Sequence, residues 1–154
     1  MLGVLAMKWA WRARREAAGK PTDRPNIVVP SCIHVCHEKA ALYFDVELRQ
    51  VPLTPDALTV PASAIVARCD ENTIGVVAVL GSTYTGHFDD VAALSDALEV
   101  FNAANGTDIG IHVDGASGGF VAPFLFPDLK ADFRVPRVVS INMSGHKFGL
   151  MVAG

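Results

Sequence analysis

Charge is scarce in this sequence. Lys and Arg number 13 and Asp and Glu 16 in 154 residues, 19% charged against 51% hydrophobic, which excludes a disordered chain. Long apolar runs are missing as well. Stretches such as Ile74–Leu80 fall far short of the ~20 residues that span a bilayer. The opening Met-Leu-Gly-Val-Leu-Ala-Met puts apolar residues ahead of basic ones, the reverse of a secretory signal, so the expected location is cytoplasmic. The length suits one ordinary domain. A positive mean hydropathy, +0.32, then points to strands buried on both faces or to a surface made for a partner.

Cysteine is sparse too. Cys32, Cys36 and Cys69 are too few for a disulfide framework and fit a reducing compartment. The run Cys32-Ile-His34-Val-Cys36-His37 has the composition of a metal tract, but structural zinc sites pair two such clusters and no second one follows. No metal is expected. Nor is nucleic acid or a membrane surface. Residues 1–24 carry six basic against two acidic residues, a balance of +4, and the remaining 130 carry −7, so the basic start reads as the solvated end of a helix.

What is present is an alternation of helix and strand patterns, without repeats. Leu2, Leu5, Trp9 and Ala13 predict a helix over 1–18, closed by Gly19-Lys20-Pro21. Asn26–Val29 reads as a short buried strand, 34–44 as a helix, Asp45–Val51 as a half-exposed strand and 62–68 as a short helix. Ile74–Leu80, Ile109–Val113 and Val138–Asn142 are apolar runs of strand length. Between the first two, Asp89 or Asp90 caps a helix that ends at Asn105-Gly106. Such alternation predicts an α/β fold, a mostly parallel sheet with helices on both faces. Ligands of open α/β sheets sit beyond the C-terminal strand ends. Three strands end there in polar residues: Thr83, Asp114, and Ser144 to Lys147. Their loops should converge.

Each loop alone says little. A lysine in a turn is usually a surface lysine, and an aspartate after a strand is usually a cap or a turn former. Together they are specific. A lysine to capture an aldehyde and an aspartate to pair with a pyridinium nitrogen are the two groups that pyridoxal phosphate needs from a protein. Asp114 precedes Lys147 by 33 residues with a strand between them. That is the order of fold-type-I pyridoxal enzymes.

The segments Cys69-Asp-Glu-Asn-Thr-Ile-Gly-Val76, Thr83-Tyr-Thr-Gly86, His112-Val-Asp-Gly-Ala-Ser-Gly-Gly-Phe-Val-Ala-Pro-Phe124, Asp132-Phe-Arg-Val-Pro-Arg137 and Ser144-Gly-His-Lys-Phe-Gly-Leu150 closely resemble glutamate decarboxylases, within the wider group of pyridoxal-phosphate-dependent amino-acid decarboxylases. The resemblance runs over essentially the whole chain. It implies a fold-type-I, transferase-like large domain, pyridoxal 5′-phosphate as cofactor, and decarboxylation of L-glutamate to 4-aminobutanoate through a Schiff base on Lys147. It further implies that Asp114 pairs with the pyridine nitrogen, that Ala116 packs under one ring face and His34 over the other, and that Thr83 and His146 contact the cofactor, His146 near its phosphate. Gly115 stands where the family commonly has alanine.

Family members are longer. The resemblance therefore implies that residues 1–154 are a partial cofactor-binding domain. A phosphate-cupping segment is expected upstream of Met1 and a small C-terminal domain downstream of Gly154, and the complete enzyme is expected to be a homo-oligomer, dimer or higher. Two other readings stay open at this point: a catalytically inactive remnant, and a pyridoxal decarboxylase for aspartate or an aromatic amino acid.

Overall fold

The computed structural model describes residues 1–152; Ala153 and Gly154, the last two of the expected domain, lie outside the described residues. Five strands form one fully parallel sheet: β1 (Asn26–Pro30), β2 (Glu47–Val51), β3 (Thr73–Val79), β4 (Ile111–Asp114) and β5 (Val138–Asn142), in the order β2-β1-β3-β4-β5. β1, β3 and β4 are buried along their whole length, which is why they read as unbroken apolar runs rather than alternating ones.

Helices cover both faces. On one, α1 (Leu2–Ala17) and α2 (Val35–Tyr43) pack Val4, Met7, Trp11 and Ala40 against Ile27, Val29, Ile74 and Val77. On the other, α3 (Ala62–Val66) and α4 (Val91–Asn105) pack Ile65, Leu94 and Leu98 against Val28, Val76, Ile111 and Val113. Neighbouring residues of β1 thus serve opposite cores, as the strand pleat requires. A short helix α5 (Ala122–Leu125), preceded by a 3-10 turn at Gly118–Phe120, follows β4. No helix among the described residues is long and apolar enough to cross a membrane.

The chain runs from β1 outward to β2, then returns past β1 to β3. That reversal is the switch point at which doubly wound sheets hold ligands. The loops leaving β1 and β3 flank it, and the loops leaving β4 and β5 lie next in line.

Several boundaries differ from the sequence reading for identifiable reasons. Ile109 stays outside β4 because Asn102 of α4 claims its backbone: Ile109 N–H donates to Asn102 Oδ1 and Ile109 C=O accepts from Asn102 Nδ2. β2 begins at Glu47 because Val46 N–H still caps α2 through Ala41 C=O, and Asp45 turns the chain at φ 52°. α4 has the expected ends, Asp90 accepting from Ala93 N–H and Gly106 in the left-handed region at φ 62°. α5 was not anticipated. Pro123 and two glycines obscure its pattern.

Candidate cofactor site at the strand tips

β4 and β5 are neighbours in the sheet, and their register pairs Asp114 with Asn142 and His112 with Ser140. The carboxylate and the lysine loop therefore leave adjacent strand ends. Backbone hydrogen bonds tie the loops beyond. Gly118 N–H donates to Leu80 C=O (2.8 Å), Gly115 N–H to Asn142 C=O (3.0 Å) and Ser144 N–H to Ala116 C=O (3.3 Å). The three loops converge. Gly118 is needed at the first of these ties, since a Cβ there would collide with the Leu80 carbonyl.

Asp114 is buried, and both its oxygens are held. Oδ1 accepts from Ala116 N–H (3.2 Å) and Asn142 Nδ2 (3.0 Å); Oδ2 lies 2.9 Å from His37 Nε2. Burial alone would raise this carboxyl. Hydrogen bonding and electrostatic attraction to His37, with the bonds from Asn142 and Ala116, instead hold it well below the usual carboxylate range. Asp114 is an anion. Behind it, His112 Nε2 lies 3.0 Å from Asn142 Oδ1 and its Nδ1 lies 2.8 Å from Ser140 Oγ. Burial, then the neighbouring His37, pushes His112 down to about 4, against smaller opposing pulls from Asp114 and Asn142.

Lys147 is half-buried in a tight turn, its N–H on Ser144 C=O, and its Nζ reaches Ser117 Oγ at 3.5 Å. Cys36, on the first turn of α2, feels both charges. Its thiol is raised by burial and by Asp114 and lowered in part by Lys147. Donor atoms of Cys36, His37 and Asp114 lie within 4.8 Å of one another, a grouping in which His37 is already engaged by the carboxylate.

The other expected residues are placed as follows. Ala116 stands half-buried two positions beyond Asp114. Thr83 is exposed in the turn closed by Gly86 N–H on Ser82 C=O, and His146 is exposed beside Lys147. His34 is the exposed N-cap of α2, its Nδ1 accepting from Cys36 N–H at 3.2 Å. The sequence reading passed over His37, His112 and Asn142. The signal for His37 lay in the Cys32–His37 run, which looked like half a metal tract.

Over residues 1–154 the sequence matches the pyridoxal-dependent decarboxylase conserved domain. The chain belongs to the pyridoxal-dependent decarboxylase family. Within that family it is 51% identical over 154 residues to glutamate decarboxylase of Aliivibrio fischeri and 55% identical over the same length to glutamate decarboxylase 3 of Arabidopsis thaliana. All of this chain is covered in both, against 33% and 31% of those proteins. The solved structure of Lactobacillus brevis glutamate decarboxylase superposes with a TM-score of 0.93 at 44% identity, covering 97% of this chain and 34% of that one. The fold is thus that of the family's pyridoxal-binding enzymes, and the chain spans about a third of the length of the relatives it matches.

Proposed function

We propose that this chain is the cofactor-binding core, residues 1–154 of the large domain, of a longer pyridoxal-5′-phosphate-dependent decarboxylase that converts L-glutamate to 4-aminobutanoate and CO2. The observation that carries the reading is an ionised, three-times hydrogen-bonded Asp114 on the strand tip beside the lysine loop. An anion held so firmly suits a protonated ring nitrogen, and the half-buried Lys147 amine suits an aldehyde. The donor set fits the cofactor. The curated relatives named glutamate decarboxylase support glutamate as the substrate.

When bound, the cofactor supplies an electron sink for the pair released as the bond from the α-carbon to the carboxylate breaks. The residues of this chain do the rest. Asp114 keeps the ring nitrogen protonated through its own negative charge. Ala116 offers a small side chain where a flat ring must lie against the loop, and His34, at the start of α2, takes the opposite face. Thr83 and His146 complete the contacts, His146 toward the phosphate. Lys147 would hold the cofactor's aldehyde through its Nζ amine, and that amine would be the group of this chain able to carry a proton beside the substrate. One proton replaces CO2 on the α-carbon.

The complete enzyme is a homo-oligomer, dimer or higher, working in the cytoplasm. Exposed Phe124, Leu125 and Phe133 favour a covered surface, and the free cysteines Cys32, Cys36 and Cys69 favour a reducing compartment. Visible absorbance gained on adding pyridoxal phosphate to the complete enzyme, lost in Lys147→Ala, tests the lysine. Release of CO2 from labelled glutamate rather than from labelled aspartate or an aromatic amino acid tests the substrate. Retained absorbance in Lys147→Ala, or preference for another amino acid, overturns the corresponding part.

A further inference from the structure

The function proposed above uses His37 only as one of three donors to Asp114, yet it is among the most buried polar side chains, 2% exposed. It stands at the third position of α2, on the helix that follows β1, and so reaches Asp114 from across the switch point. Among the described residues only Nε2 has a partner; Nδ1 is buried with none. Burying an imidazole with one nitrogen unpaired is unfavourable where a leucine of similar volume would pack. What offsets that penalty is the contact with Asp114. An ionised carboxylate only accepts, so Nε2 must carry the proton and donate it to Oδ2.

Asp114 is then gripped from both sides. β5 and the loop after β4 hold Oδ1 through Asn142 and Ala116 N–H, while α2 holds Oδ2 through His37. A carboxylate tied at one oxygen can swing about its Cβ–Cγ bond; tied at both, it has one orientation. We propose that His37 is a positioning residue that fixes the plane of the Asp114 carboxylate for its partner, the ring nitrogen of the cofactor. Oδ1 has its two acceptor sites filled by protein donors and Oδ2 has one, so the remaining site on Oδ2 is the one His37 orients. This inference rests on the cofactor reading of Asp114.

The test uses the complete enzyme and titration with pyridoxal phosphate. His37→Leu keeps the volume and removes the donor; His37→Gln keeps an N–H near the position of Nε2. His37→Leu is expected to weaken cofactor binding by about tenfold, the size of one lost charge-assisted hydrogen bond, and His37→Gln to restore most of it. A purely structural histidine would show the opposite order, with leucine tolerated and glutamine disruptive. Equal affinity in His37→Leu and wild type overturns the role of His37, provided Lys147→Ala and Asp114→Ala lose binding. If those two also bind normally, the proposed function itself falls. Should His37→Leu fail to fold, nitrogen-15 spectra of the unmodified apoenzyme decide. A protonated Nε2 whose resonance shifts in Asp114→Asn supports the proposal, and a proton on Nδ1 alone overturns it.

Discussion

Asn142 Nδ2 lies 3.0 Å from Asp114 Oδ1, and the strand register pairs those two residues directly. Because the carboxylate only accepts, the Asn142 amide must turn its nitrogen to Asp114 and its oxygen to His112 Nε2. His112 then keeps its proton on Nε2 and accepts from Ser140 at Nδ1. One asparagine sets the direction of the whole chain of bonds. Asn142→Leu leaves the His112 N–H without an acceptor and Asp114 with one donor fewer. It is expected to lower stability by about 2 kcal/mol in urea denaturation, the range for an unsatisfied buried group. Asn142→Asp, which sets a second carboxylate against Asp114, is expected to be worse. A leucine variant that melts like wild type would remove the relay from the account.

The same network fixes how stability responds to acid. His112 falls from its ordinary 6.5 to about 4 in the folded state. Between those values the unfolded chain binds the extra proton and the folded chain does not, so stability rises with pH across the window and declines as pH drops from 6.5 to 4. The full effect is about 3 kcal/mol. Asp114 adds to it at lower pH. Its depressed carboxyl contributes stability that is present above 3.8 and is lost as pH falls through its lower folded value. His112→Gln, which can donate to Asn142, is expected to flatten the slope of stability against pH between 4 and 6.5. An unchanged slope in that variant would place the titration elsewhere.

Much of this was legible beforehand, and for a physical reason. β3 and β4 stand out because parallel strands buried on both faces must be continuously apolar, and α4 because Asp90 and Gly106 mark its ends. The neighbouring placement of Asp114 and the Ser144–Lys147 loop was legible because polar residues follow apolar runs that become adjacent strands. His37 was not. A histidine 77 positions upstream of Asp114 meets it only because the chain reverses at β1 and sends α2 back over the switch point. Nor was Asn142, whose role depends on a register shift between Ile111 and His112 that no one-dimensional pattern records.

Cys69 should be chemically silent. Burial, aided by the neighbouring Asp70, pushes its thiol up to about 12, and its Sγ donates to Ile65 C=O at 3.5 Å. Against an ordinary 9.0, its thiolate fraction near pH 8 is lower by about a thousandfold, and alkylation slows accordingly. Mass spectrometry after brief treatment with iodoacetamide is expected to find Cys69 unmodified in the native protein and modified after unfolding. Rapid native labelling at Cys69 would show that α3 and the following turn open readily.

Two glycines separate strain at the site from strain elsewhere. Gly106 ends α4 at φ 62° with nothing within 4 Å of a would-be Cβ, so Gly106→Ala meets only backbone strain and is expected to cost about 1 kcal/mol. Cofactor affinity should not change. Gly118 has no such room. Its N–H donates to the Leu80 carbonyl, and a Cβ would meet that same group, so Gly118→Ala breaks the tie between the loops after β3 and β4. Overpacking of this kind costs about 2 kcal/mol. Ser117, adjacent in sequence, carries the contact to Lys147 Nζ, so the displacement reaches the lysine. Thermal melts and pyridoxal-phosphate titrations of both variants decide the matter: a loss of stability in each, with weakened binding only in Gly118→Ala, is the expected pattern. Equal binding in the two would mean that the Leu80–Gly118 tie does not hold the site in shape.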